Sequence, residues 1–306
     1  MSLRFTLRQL EYLVAVGQAG SITLAAERLN VSAPSISTAI AALEAEFGLP
    51  LFVRKHAHGL SPTPAGREMI RAAAETLASA ARLSDLAATA RGTVAGRLTV
   101  GCLLTFAQIV VPQLRRSFLA RYPQVAFHQA ETHQAALIEG LRDASLDAVL
   151  TYDLSLPTDL EFLELATLPP FVMLGPDHPL ADRPILTMAE LAPHPLVLLD
   201  LPLSADYFLG FFETAALRPR ISEKSRDMAV VQSLVANGFG YAFGNVRPLS
   251  DRAPDGRPLL FRPLQGVAPL RMGLLTAQGA AASLTIRAFI DHARETLPAL
   301  LPELTI

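Results

Sequence analysis

The 306-residue chain holds a single cysteine, Cys102. One thiol can neither close an intramolecular disulfide nor build a cysteine cluster for zinc, and such sparing use fits a reducing compartment. An excess of one charge is also missing. Lys and Arg number 26 against 28 Asp and Glu, a formal net charge of −2. That excludes a chain that wraps nucleic acid along its whole length and leaves room for a local basic face. No run approaches the ~18 uncharged apolar residues of a membrane span, and no secretory signal precedes the first amphipathic pattern. The expected location is therefore the cytoplasm, with no membrane partner. A glycine-rich phosphate loop, a nucleophile elbow and a metal-spaced cluster are absent as well, so neither an enzyme nor a bound cofactor is expected. What is present is apolar: 51% of residues against 18% charged. That is material for real cores, and the length suggests two domains.

Thr6-Leu7-Arg8-Gln9 fits a capping box, and Leu7, Leu10, Val14 and Gly17 follow at helical spacing up to a stop at Gly20. Ser21 can cap a short second helix that buries Leu24, Ala25 and Leu29, with Asn30 as its left-handed end. Ser32 can cap a third, with Pro34 tolerated in the first turn, an apolar stripe of Ile36, Ile40, Leu43 and Phe47, and Gly48 as its stop. A short helix, a tight turn and a longer helix make a helix-turn-helix, although the same pattern fits a three-helix bundle without a DNA role. Leu51 to Lys55 then reads as a strand, His56-Ala57-His58-Gly59 as a turn and Leu60-Ser61 as a return strand, which together form a wing. Arg54, Lys55, His56 and His58 on it, with Arg28 on the second helix, are candidate DNA contacts, the wing residues toward phosphate. The two histidines alone make no metal site, because no further ligand stands nearby in sequence.

The run Ser21-Ile22-Thr23-Leu24-Ala25-Ala26-Glu27-Arg28-Leu29-Asn30-Val31-Ser32-Ala33-Pro34-Ser35-Ile36-Ser37 resembles the signature of LysR-type transcriptional regulators. Leu43-Glu44, Gly48-Leu49-Pro50-Leu51-Phe52-Val53-Arg54 and Thr63-Pro64-Ala65-Gly66 continue it in register, and the resemblance extends over essentially the whole chain. It implies double-stranded DNA as a partner, self-association as a dimer or a dimer of dimers, and a small-molecule effector. It also admits RNA polymerase as a further partner. One departure concerns base reading. The family often carries glutamine after the serine cap and polar or basic residues near the middle of the recognition helix, where this chain has Ala33, Thr38 and Ala39. The exposed face is expected to offer Ser32, Ser35, Ser37 and Thr38, with Ala33 and Pro34 as apolar contacts. Long bidentate readers are missing, so thymine methyl contacts and DNA shape are expected to carry more of the specificity.

Thr63-Pro64 is a favoured helix start, and the next proline-free stretch runs to about Ala90. A helix of that length spans about 40 Å. Its stripe of Ile70, Ala73, Leu77, Ala80 and Leu83 needs a cover, and the resemblance implies an antiparallel pairing between two subunits. The expected organisation is a winged helix-turn-helix over 1–62, a linker and dimerisation helix over 63–91, and an effector-binding domain over 92–306.

From Gly96 onward strands and helices alternate. Strands are expected at Leu98–Cys102, Val125–His128 and Leu146–Thr151, with one helix from about Phe106 to Tyr122 and a second capped by Thr132. This βαβαβ order implies a parallel sheet covered on both faces. A second unit begins near Pro170, with strands at Phe171–Leu174, Leu196–Leu199, around Ile221 and at Tyr241–Phe243, and a helix from Met228 to Asn237. Near Gln265 the chain returns to the first unit, adding a strand at Arg271–Leu275 and a helix from Ser283 to Thr296. The expected fold is a two-lobed α/β domain like that of periplasmic binding proteins, with lobe I over about 92–167 and 266–303 and lobe II over about 168–265. A solute-binding protein or an enzyme on this fold is the alternative; the N-terminal region argues against the first and the missing catalytic motifs against the second. Ligands bind such sheets beyond the carboxyl ends of strands, where helices begin. The candidate effector contacts are therefore Leu104, Thr105, Phe106, Thr132, His133, Tyr152, Asp153, Asp200, Ser204, Tyr207, Arg226 and Asn245. Thr105, Thr132 and Arg226 suit an anion such as a carboxylate, whereas Asp153 and Asp200 suit an amine or a hydroxylated ligand.

Overall fold

The computed structural model describes residues 4–55, 59–90 and 92–300, with side chains described at all of these except 54–55, 81–82 and 84–90. His56 and His58, and the side chains of Arg54 and Lys55, lie outside the described part. The described residues up to Gly92 group into one compact unit, and those from Thr93 on, apart from Arg142–Ser145, into a second.

In the first unit, helix α1 (Leu7–Ala19) starts at the Thr6–Gln9 capping box and ends at Gly20, φ 62°. Helix α2 (Ile22–Leu29) is capped by Ser21 and closed by Asn30 at φ 53°. Helix α3 (Ala33–Phe47) is capped by Ser32 and stopped by Gly48. Strands β1 (Phe52–Lys55) and β2 (Gly59–Pro62) pair antiparallel, from Phe52 opposite Pro62 to Lys55 opposite Gly59. Helix α4 (Pro64–Ala90) runs for 27 residues. Leu13, Val16, Ala25, Ile36, Leu43 and Leu51 form the fully buried core.

Three expectations need correction here. The buried face of α1 is Leu10, Tyr12, Leu13 and Val16, and Leu7 lies exposed in the first turn. In the eight-residue α2 only Ala25 and Ala26 are buried, whereas Leu24 and Leu29 are exposed, because the small pair faces the neighbouring helices. The α4 stripe is partly covered by its own chain. Met69, Ile70, Ala73 and Leu77 pack on the first-unit core, while Leu83 stays 69% exposed.

In the second unit the elements in chain order are β3 (Gly96–Cys102), α5 (Leu104–Ile109), α6 (Val111–Arg121), β4 (Val125–Glu131), α7 (Gln134–Arg142), β5 (Ala148–Tyr152) and β6 (Leu160–Leu168). Then come β7 (Phe171–Leu174), β8 (Leu186–Thr187), α8 (Met188–Leu191), β9 (Pro195–Leu199), α9 (Ser204–Thr214), β10 (Arg220–Ser225), α10 (Met228–Ala236) and β11 (Ala242–Gly244). Strands β12 (Leu260–Gln265) and β13 (Leu270–Ala277), a 3-10 turn (Ala280–Ala282) and α11 (Leu284–Leu300) complete it.

Lobe I is a five-stranded sheet in the order β4-β3-β5-β13-β6. Its β4, β3 and β5 are parallel, as the βαβαβ order requires. The sheet is nevertheless mixed: β13 runs antiparallel to both β5 and β6, because it re-enters from the other lobe. Lobe II carries β11-β7-β12-β8, and a single bridge from Leu196 to Tyr241 connects the parallel pair β9 and β10 to it. The chain leaves the first sheet after Leu168 and rejoins it at Leu270.

Two further expectations are corrected. The helix expected from Phe106 to Tyr122 is broken at Val110, because Pro112 in the first turn of α6 cannot donate a backbone bond to the preceding turn. Thr132 does not cap α7; the Nδ1 of His133 accepts from the Ala136 amide at 3.4 Å.

Candidate functional site

Two sites follow from the two units. In the first unit, the capping serine Ser32 fixes where α3 begins. Its Oγ accepts from the Ser35 amide at 3.3 Å and lies 2.7 Å from the Ser35 hydroxyl. Ile36, Ala39, Ile40 and Leu43 point inward. Ser32, Pro34, Ser35, Ser37 and Thr38 are exposed and Ala33 is half-buried, so the outward face of the first two turns is one of hydroxyls and small apolar groups. Ala39 is buried and cannot reach a base. Arg28 is exposed in the last turn of α2.

The wing is fastened to this scaffold by residues whose role sequence reasoning missed. The Glu44 carboxylate accepts from the Leu51 amide at 2.8 Å and the Phe52 amide at 3.3 Å, which sets the exit of α3 into β1. The Leu60 amide donates to the Gly20 carbonyl at 2.8 Å. Gly59, at φ +79°, sits so close to Gly20 that a Cβ would lie 2.6 Å from its carbonyl oxygen. Glu44 and Gly59 are contacts between elements, so no local pattern announces them.

In the second unit, the candidate effector residues gather at the carboxyl ends of β3, β4 and β5 in lobe I and of β9 and β10 in lobe II. Four of them fall in two contacting pairs, Phe106 with Tyr152 and Tyr207 with Asn245. The fully buried Phe106 backs the Tyr152 ring at 4.8 Å. Burial holds the Tyr152 phenol far above its ordinary range, and the Tyr207 phenol adds to that. Tyr207 is itself pushed up to about 12 by burial, against the opposing effect of its bond from Asn245. Both phenols therefore stay protonated at neutral pH and can donate hydrogen bonds.

The charged candidates are less free than their types suggest. Asp153 is ion-paired with Arg271, which also reaches Glu164 at 3.5 Å. Asp200 stands 3.7 Å from Lys224, a partly exposed pair worth little energy. Arg226 is exposed and, among the described residues, makes no ion pair. Ser204 opens α9, whose preceding Leu203 supplies no side-chain cap. Leu104 is exposed, Thr105 and Thr132 are half-buried, and His133 is engaged as a cap. Grooves of about 310 and 450 Å³ lie elsewhere, one on α10 with Phe239 and Pro254 and the other on α6 at Pro112, Gln113 and Arg116. Cys102 is fully buried, and burial followed by Glu131 pushes its thiol up to about 12, so it carries no thiolate chemistry at neutral pH.

A helix-turn-helix with a wing, followed by a two-lobed α/β domain, defines the class of ligand-responsive DNA-binding proteins. Comparison with known proteins makes this specific. The profile described as "Bacterial regulatory helix-turn-helix protein, lysR family" matches residues 7–67, and "LysR substrate binding domain" matches 91–298. The transcriptional activator protein LysR of Escherichia coli is 30% identical over 299 residues, covering 97% of this chain and 95% of its own. The crystal structure of HinK, a LysR family transcriptional regulator from Pseudomonas aeruginosa, has a TM-score of 0.65 at 30% identity, covering 96% of this chain and 99% of that one. Full-length CbnR in complex with its target DNA shares the fold, with a TM-score of 0.68 at 24% identity over 95% of this chain and 99% of that one. The chain belongs to the LysR family of DNA-binding transcriptional regulators. Among the described residues no helix is long and apolar enough to cross a membrane.

Proposed function

We propose that this regulator is switched by a small organic acid held between its two lobes and that it acts in the cytoplasm without catalysing a reaction. The observation that carries this reading is the placement of a half-buried tyrosine at the carboxyl ends of the strands in each lobe, Tyr152 ending β5 in lobe I and Tyr207 in the first turn of α9 after β9 in lobe II. Aromatic walls with a few polar groups suit a small-molecule site. The acid is favoured over the amine because Asp153 has its own cation in Arg271, while Arg226 has none to neutralise it. Thr105, Thr132, Ser204 and Leu104 complete the rim. Asn245 has both amide protons engaged by protein and supports the site from behind.

On DNA, Ser35, Ser37 and Thr38 face the major groove, and Ser32, Ala33 and Pro34 lie against bases and sugar. Arg28, Arg54, Lys55, His56 and His58 follow the phosphates. The protein binds as a dimer or as a dimer of dimers, with RNA polymerase as the partner on which regulation acts.

Titration calorimetry of the full chain against paired small acids and amines, aromatic and aliphatic, tests the ligand class. At least one acid is expected to bind, and Arg226→Ala is expected to weaken it about tenfold, the loss of one charge-assisted bond. Binding of amines alone, unaffected by Arg226→Ala, would overturn the acidic reading.

A further inference from the structure

Asn245 follows directly on β11 and is 5% exposed, in a place where the lobes join. The next residue, Val246, packs in the lobe I core, although β11 itself belongs to the lobe II sheet. The Asn245 Nδ2 makes two bonds. One goes to the carbonyl of Leu168 at 3.3 Å, the last residue of β6 before the chain crosses to lobe II. The other goes to the Tyr207 hydroxyl on α9 at 3.1 Å.

The chemistry of these partners fixes the direction of both bonds. A carbonyl can only accept, so the amide nitrogen must face Leu168. The second Nδ2 proton then meets the Tyr207 oxygen, which accepts it. That oxygen has one proton of its own, and it cannot point back at Asn245. It is turned away from Asn245 and is left for another acceptor.

We propose that Asn245 is a positioning residue for the cleft, fixing the Tyr207 hydroxyl as a hydrogen-bond donor directed away from Asn245 and fastening that donor to the strand crossing at Leu168. The inference rests on the reading of the cleft as the effector site. A change in lobe arrangement that moves Leu168 relative to α9 must then stretch or break one of the two amide bonds. The polarity of the Tyr207 hydroxyl is thereby tied to the arrangement of the lobes. Asn245 itself needs no contact with the ligand.

The chain has five tyrosines, Tyr12, Tyr122, Tyr152, Tyr207 and Tyr241, so a full-length sample labelled with carbon-13 at tyrosine Cζ gives a short, assignable spectrum. In Asn245→Ala, which removes the donor, the Tyr207 signal is expected to shift while those of Tyr12, Tyr122 and Tyr241 stay. In Asn245→Asp, which replaces the donor by an acceptor of the same shape, the Tyr207 signal should shift as well and differ from its position in Asn245→Ala. A role in packing alone would leave the Tyr207 signal in place in Asn245→Asp, which keeps the shape. Tyr207→Phe covers the case in which Asn245 variants fail to fold, since it removes one oxygen and leaves Asn245 intact. The Asn245 side-chain amide protons should then move. An unmoved Tyr207 signal in a folded Asn245→Asp protein, or unmoved Asn245 amide protons in Tyr207→Phe, would overturn the proposal. The readout involves neither ligand nor DNA. A failed acid titration would count against the effector reading while this geometry stood, and unmoved signals would do the reverse.

Discussion

At the scale of single residues, burial decides which groups can titrate. His292 on α11 is buried, with its Nε2 2.8 Å from the Ser117 hydroxyl. Burial, then the nearby Arg121, holds its pKa below the ordinary 6.5. His178 is lowered in the same direction, by burial and then by His194, whose ring lies 5.0 Å away. Its Nδ1 accepts from the Leu180 amide, so a second ring proton would have to break that bond. In both cases the unfolded chain binds protons more readily than the folded one. Their contribution to stability is therefore complete above the ordinary histidine pKa and is lost as pH falls through it toward the lower folded values. The urea midpoint of the full chain is expected to fall between about pH 7 and pH 5.5, and His178→Gln with His292→Gln should flatten that fall. A wild-type midpoint that is flat over this range would show that neither histidine is held neutral.

At the scale of elements, the long helix α4 does two jobs along its length. Its first half belongs to the DNA-binding unit, where Ala73 is buried and Ile70 crowds Gly17 so closely that a Cβ there would lie 2.6 Å from Ile70 Cδ1. Leu77 is part of this packing, so a charge at Leu77 would damage the unit itself as well as any seam between subunits. Leu83, 69% exposed and about 1.7 turns further on, is the cleaner probe. Burying a leucine contributes about 1.5–3 kcal/mol, and a two-fold seam would use it twice. Leu83→Glu is expected to lower the assembly state seen by sedimentation while leaving the thermal midpoint of the DNA-binding unit close to wild type. An unchanged assembly state would place the subunit contact elsewhere.

The same scale explains what could be read from the sequence. Caps and stops were legible because each depends on residues within about four positions: Thr6 with Gln9, Ser21, Asn30, Ser32 and Gly48 all stand where local chemistry puts them. The wing was legible for the same reason. Strand β6 was not, because Leu160–Leu168 gains its partner only from β13, more than a hundred residues further on. The split between α5 and α6 was available in Pro112 and was overlooked. At the proposed cleft, the strand ends offered Tyr152, Asp153 and Tyr207 as candidates. The bonds that hold their surroundings, Asn245 with Leu168 and Asp153 with Arg271, are separated by 77 and 118 positions and leave no local trace.

For the whole molecule, regulation requires that a ligand bind one arrangement of the lobes better than another. A difference of about 1.4 kcal/mol already shifts the ratio tenfold. The DNA end must in turn hold a sequence preference for that shift to act on. The recognition face provides hydroxyls and small apolar groups at Ser35, Ser37, Thr38 and Pro34, so a modest direct readout joined to DNA shape is expected. In a dimer, two such faces read half-sites about one helical turn, roughly 34 Å, or a multiple of it apart.

Selection of duplexes from a random pool by the full chain, at about 0.15 M salt, tests this most directly. The expected result is an enriched pair of two-fold-related half-sites at that spacing, with the preference altered or lost in the Ser35→Glu protein. Bound duplexes no different from the starting pool, or an enrichment that Ser35→Glu leaves untouched, would contradict the account of α3 as the helix that reads DNA.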